Sequence, residues 1–147
     1  MIASKKKAFT LVETLLVIGI FTILVIATLP LSLDFYKKYQ LNLCTEELVQ
    51  SLRRVQLKSI SIEQDSRFGI YFTEGKYVLF RGNSYAAREV QYDEIFDLPQ
   101  TINISGLQEI VFTKAQGLPS VTGNIVLSNN IENKTIDINS LGRINLE

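Results

Sequence analysis

Glu13 is the residue whose chemistry is most out of place in this sequence. It borders a run from Thr14 to Leu33, twenty residues without a charge and rich in Leu, Ile, Val and Phe. A carboxylate inside an apolar helix is costly, and such charges usually serve a function with a definite partner. The other acids offer less. Asp93-Glu94 and Glu46-Glu47 have the adjacency of general acid/base pairs, but neighbouring acids of this kind read as solvated surface. The chain has no histidine, which removes Ser-His and Cys-His nucleophile pairs and the commonest zinc ligand. Its one cysteine, Cys44, can form no intrachain disulfide and reads as a small apolar helix residue. Asn133-Lys134-Thr135 is a short match to a glycosylation acceptor, a weak signal. No catalytic residue, metal site or cofactor is expected, and the chain reads as a non-enzyme.

The element that positions Glu13 is the apolar run itself. As a helix, twenty residues cover about 30 Å, the thickness of the bilayer hydrocarbon. Lys5, Lys6 and Lys7 precede it, which keeps the N-terminus in the cytoplasm and sends the remainder outward. Three readings compete: a secretory signal cut after Ala27, an uncleaved anchor, and a leader cut ahead of the apolar helix. Glu13 favours the third, because an acid is unhelpful to the other two.

The string Lys6-Lys7-Ala8-Phe9-Thr10-Leu11-Val12-Glu13 resembles the leader junction of type IV prepilins and pseudopilins. In that family a basic leader ends in a small residue, and Phe, an apolar run and a Glu at the fifth mature position follow. The resemblance implies cleavage by prepilin peptidase between Ala8 and Phe9, N-methylation of Phe9, and Glu13 as the element that sets subunit register. It also implies a helix kink at Pro30. Alanine stands before the cut where glycine is usual. The implied partners are the peptidase, other pilin or pseudopilin subunits, an inner-membrane assembly platform, and the lipid bilayer before assembly. The implied location is a single-pass inner membrane with the head extracytoplasmic, then a periplasmic or extracellular filament.

Beyond Pro30, Leu41, Thr45, Leu48, Leu52, Val55, Ser59 and Ile62 recur at alternating steps of four and three, one face of a helix. Glu46, Glu47, Gln50, Arg54 and Lys58 occupy the opposite face, and one helix from Phe9 to about Ile62 is expected. After Asp65 the period becomes two: Phe68, Ile70 and Phe72 alternate, Thr73 to Lys76 forms a turn, and Tyr77 to Arg81 returns. Further short strands are expected at 101–105, 109–113, 124–128, 135–139 and 143–146. With no room for crossover helices, the sheet should be antiparallel. The fold class is therefore α+β, a long N-terminal helix, transmembrane in its first half, packed on a C-terminal antiparallel head. The divisions are a leader at 1–8, a membrane helix at 9–33, its amphipathic continuation at 34–64 and a β-rich head at 65–147.

The order of motifs in the head, Phe112 before Gly117, then Gly123 to Leu127, Thr135 to Asn139 and Gly142-Arg143-Ile144, resembles GspH/FimT-type minor pseudopilins. Some FimT-like proteins bind DNA through a C-terminal Gly-Arg-x-Arg motif. Here Gly142-Arg143-Ile144-Asn145 keeps only the first arginine, and from Ser66 onward seven Lys/Arg face nine Asp/Glu. Arg143 is thus a possible weak DNA contact on an acidic head, and nucleic acid is an unlikely partner at physiological salt. Three functions remain in play: a structural filament subunit, a DNA-binding minor pilin of an uptake filament, and an ordinary exported globular protein.

Overall fold

The computed structural model describes residues 9–147, the side chains of residues 27–32 and of Gln64 excepted. The chain divides into two compact units, the second comprising Lys37–Glu147. One helix, α1 (Leu11–Ile60), contributes to both.

In the first unit, α1 opens on Thr10. Its hydroxyl accepts the Glu13 N–H at 3.3 Å, so Thr10 caps the helix and Glu13 occupies the third helical position. Thr10-Leu11-Val12-Glu13 thus has the spacing of a capping box, and the acid also suits the positive end of the helix dipole. From Leu11 to Ile26 the side chains are exposed, so none of this apolar surface lies in the buried core of the described residues. Among the described residues no helix is long and apolar enough to cross a membrane. The uncharged run continues into 27–32, outside the described side chains, and the kink expected at Pro30 falls there too.

The second unit is the head. Its share of α1 buries Leu41, Thr45, Leu48, Leu52, Val55 and Ser59, the stripe expected from the sequence. Two buried hydroxyls on that stripe are satisfied locally. Thr45 donates to the Leu41 carbonyl at 2.7 Å, and Ser59 accepts the Phe68 N–H at 3.2 Å. Ile62 departs from the stripe and is exposed. The helix has already ended at Ile60, and Ile62 sits in the left-handed region at φ 53°. A 3₁₀ turn, Glu63–Asp65, leads into the strands.

The strands are β1 (Phe68–Thr73), β2 (Lys76–Arg81), β3 (Glu94–Asp97), β4 (Asn103–Gly106), β5 (Glu109–Phe112), β6 (Gly123–Ser128), β7 (Asn133–Ile138) and β8 (Ile144–Leu146). All pairings are antiparallel, as the short connections require. They form two four-stranded sheets, β3-β2-β1-β5 and β4-β6-β7-β8. Gly106 lies at the passage from the second sheet to the first. Its φ is +103°, and a Cβ there would come within 2.2 Å of the Asn124 carbonyl oxygen, so only glycine allows this approach. The shared core joins the α1 stripe to Ile70, Tyr77, Ile110 and Phe112 of one sheet and Ile125, Leu127, Ile136 and Ile138 of the other.

β3 is absent from the expected strands. It pairs Tyr77 with Phe96, whose rings stack at 5.0 Å, so a tertiary contact creates it. The preceding loop is pinned by its own charges and rings. Arg81 holds Glu89 through two bonds of 2.9 and 2.7 Å and covers the Tyr92 ring. Arg88 lies over Tyr85, which stacks on Tyr71 at 3.9 Å.

Candidate processing and assembly site

Phe9, expected at the processing site, lies just ahead of α1, and Glu13, expected to set register, lies in its first turn; both are exposed. Phe9 is 80% exposed. Ala8, the other side of the expected cut, lies outside the described residues with the rest of the leader. Glu13 has its backbone N–H on Thr10, while its carboxylate is exposed and forms no ion pair among the described residues. A charged side chain is therefore carried on an exposed apolar stretch of helix. That arrangement can bind apolar surfaces and present one anion to them.

The acids weighed as acid/base pairs are held differently from each other. Glu46 and Glu47 are exposed. Asp93 and Glu94 are not the solvated pair expected from adjacency. Asp93 accepts from Arg88 at 2.8 Å, and Glu94 joins Arg54 and Lys58. The strand direction explains this, because the side chains of Glu94 and Phe96 both turn toward α1. No cluster of potential metal ligands occurs among the described residues. Burial, reinforced by the nearby Glu47 charge, raises the Cys44 thiol above its ordinary range, so it is a poor nucleophile at neutral pH.

Gly142 makes a turn at φ +76°, and Arg143 immediately precedes β8. Arg143 is exposed and borders an open groove of about 460 Å³ that it shares with Arg53, Leu57 and Asn145. Counting charges in the head alone misses Arg53, which reaches this groove from the helix. Its helical phase, seven residues beyond Glu46 on the polar face, is the signal that could have found it. Gln56 ties the same region together, donating to the Gly117 and Gly142 carbonyls at 2.9 and 2.8 Å.

No curated protein and no solved structure matches the chain significantly. Residues 3–29 match the family model described as Prokaryotic N-terminal methylation motif. That match spans the basic leader, the Ala8-Phe9 junction, Glu13 and most of the apolar run. It implies an inner-membrane-anchored precursor, processing by prepilin peptidase and assembly with other pilins, and so supports a type IV pilin-like protein.

Proposed function

We propose that this chain is a non-enzymatic structural subunit of a type IV pilus or of a type II secretion-like pseudopilus, of the GspH/FimT type. Prepilin peptidase cuts it between Ala8 and Phe9, Phe9 is methylated, and the apolar helix carries it from an assembly platform in the membrane into a filament. The head stands on the extracytoplasmic side, because Lys5 to Lys7 hold the leader in the cytoplasm. The observation that carries this reading is the methylation motif at 3–29, together with the exposed apolar helix and its single acid at Glu13. A helix that leaves its apolar side chains exposed outside the core suits lipid first and other helices later.

The test is the mature N-terminus. Intact-mass measurement and N-terminal sequencing of membrane-extracted protein give a chain that starts at methylated Phe9. A start at Thr28 means an ordinary signal peptide, and the membrane helix is then lost.

A second reading, DNA capture, draws on Arg53 joining Arg143 at one groove. Two cations neutralise few phosphates, and the head is otherwise acidic. Duplex DNA binding is therefore negligible at physiological salt. A micromolar, salt-sensitive dissociation constant abolished by Arg143→Ala would replace the first reading with the second.

A further inference from the structure

β8 is the last strand of its sheet, paired with β7 on one side and open on the other. Thr135 and Glu147 exchange both backbone hydrogen bonds, and the Asn139 N–H donates to the Arg143 carbonyl at 3.2 Å. Bonded and non-bonded pairs alternate along an antiparallel ladder, so Asn145 completes the set that faces β7. The N–H and C=O groups of Ile144 and Leu146 therefore point away from β7, and they meet no other partner among the described residues.

That free edge is one wall of the groove of about 460 Å³, and α1 supplies the other through Arg53, Gln56 and Leu57. No acid lines it. Asp137 stands opposite Asn145 on the β7 side, and Glu147 follows β8. Arg53 and Arg143 are exposed and belong to no ion pair among the described residues. Leu57 is 63% exposed beside them.

A sheet edge facing a helix is a slot for an extended peptide, whose main chain bonds the edge while its side chains meet the helix. The other edges lack this combination. β5 is covered, since the Ser120 N–H donates to the Val111 carbonyl and the Thr113 N–H to the Leu118 carbonyl. β4 borders a cleft with Glu74 and no Lys or Arg, and β3 carries Glu94 and Asp97. At β8 the cations select the occupant. Two β8 edges brought together set Arg143 near Arg143, which opposes self-pairing, whereas an acidic strand is attracted. A phosphate backbone only accepts hydrogen bonds, so it leaves the Ile144 and Leu146 carbonyls unmatched. A peptide edge supplies donors and acceptors alike.

We propose that this groove binds an extended acidic segment of another protein, which adds to β8 as a further strand and sets its carboxylates on Arg53 and Arg143. The contact lies wholly within Lys37–Glu147, so it stands or falls apart from leader processing and filament entry.

The test uses the full chain extracted from membranes and dye-labelled, end-capped hexapeptides in which Glu alternates with Val, Leu, Thr or Tyr. At physiological salt at least one peptide binds saturably by fluorescence anisotropy, and its Lys-for-Glu counterpart does not. N-methylation of alternate residues on one edge of that peptide abolishes binding, while methylation of the other edge leaves it intact, because a strand offers β8 only one edge. Arg53→Glu and Arg143→Glu each weaken binding at least tenfold. Leu146→Pro does the same by removing one outward N–H, at an edge position where proline is tolerated. Protease resistance of the head is unchanged in the two charge variants, and the methylated peptides probe the same contact without altering the protein.

No binding by any member of the panel overturns the proposal. So does binding that both methylation patterns leave intact, which would make the attraction one of charge alone. Binding that a DNA duplex displaces, with both methylation patterns indifferent, would give the groove to a polyanion. Binding that survives both arginine reversals would place the peptide elsewhere on the head.

Discussion

Replacing Gln56 by leucine removes one side chain's grip on two turns at once. The amide nitrogen donates to the Gly117 carbonyl at 2.9 Å and to the Gly142 carbonyl at 2.8 Å, and all three groups are partly buried. The turns press closely on the helix. A Cβ on Gly142 would lie 2.5 Å from the Gln56 amide nitrogen, and one on Gly117 would lie 2.6 Å from Ile60. Water therefore has limited room to replace the lost donor. Each carbonyl left without a partner costs about 1–3 kcal/mol when buried, and partial exposure places both toward the lower end. The sum is about 2–3 kcal/mol for Gln56→Leu, a change that keeps volume and removes only the donor. Residues 37–147 are the right sample, because the whole hydrophobic core lies within them. With a urea slope of about 1–1.5 kcal/mol/M, the midpoint falls by roughly 2 M at unchanged slope. Gln56→Glu does at least as much harm, since it sets carboxylate oxygens against both carbonyls. A loss below about 0.5 kcal/mol in Gln56→Leu would show that the carbonyls are solvated and that the turns hold themselves.

Ile62 adopts φ 53° just past the end of α1, a conformation that glycine takes freely and a β-branched residue does not. Ile62→Gly therefore stabilises the head by about 0.5–1 kcal/mol after the entropy that glycine loses, read as a raised urea midpoint. Burial pushes the Tyr77 phenol up to about 12, an effect partly offset by the hydrogen bond with Ser51 at 3.3 Å. The folded state thus binds this proton more tightly than the unfolded chain does. The associated stability is present below about pH 10 and is lost as pH rises toward 12. Unfolding titrations of Tyr77→Phe fall less steeply across that window than those of the unaltered head, and identical slopes would contradict the assignment.

How much was legible in the sequence follows from which interactions are local. The buried stripe from Leu41 to Ser59 and the β1–β2 hairpin with its turn at Glu74-Gly75 rest on periodicity and on one glycine, and both lie where expected. β3 has no such signature. Its four residues become a strand because Phe96 finds the Tyr77 ring and Glu94 finds Arg54 and Lys58. The division into two sheets was equally hidden, since it turns on the backbone of Gly106 passing the Asn124 carbonyl. At the candidate site, residue types gave Phe9 and Glu13 directly. Arg53 required the fold, because a helix residue and a strand-end residue ninety positions apart meet at one groove.

Glu13 has two physical jobs, and separating them tests the functional reading most directly. As the third residue of α1, behind a Thr10 cap, it complements the positive helix terminus, an effect of about 0.3–1 kcal/mol. As an ion on an apolar helix it is costly, by about 2.5–3.5 kcal/mol at a membrane centre, unless a cation lies beside it. On the proposed reading, cleavage before Phe9 creates such a cation, an α-amino group with an ordinary pKa of about 8, and methylation keeps an amine there. Within one chain Phe9 and Glu13 are separated along the helix start, whereas staggered neighbours can bring one subunit's Glu13 to the next subunit's amine. On that reading, pairing there fixes register, because an unpaired acid opposes entry into an apolar bundle. Glutamine preserves the capping-box geometry and removes the charge, while leucine removes both. If capping dominates, Glu13→Gln enters filaments normally and only Glu13→Leu fails. If charge pairing dominates, both variants are inserted and cleaved, and both are depleted from sheared filaments relative to membranes. The second outcome is expected, since the cap effect is several-fold smaller than the ionic one. Normal incorporation of both variants would remove Glu13 from the assembly mechanism altogether.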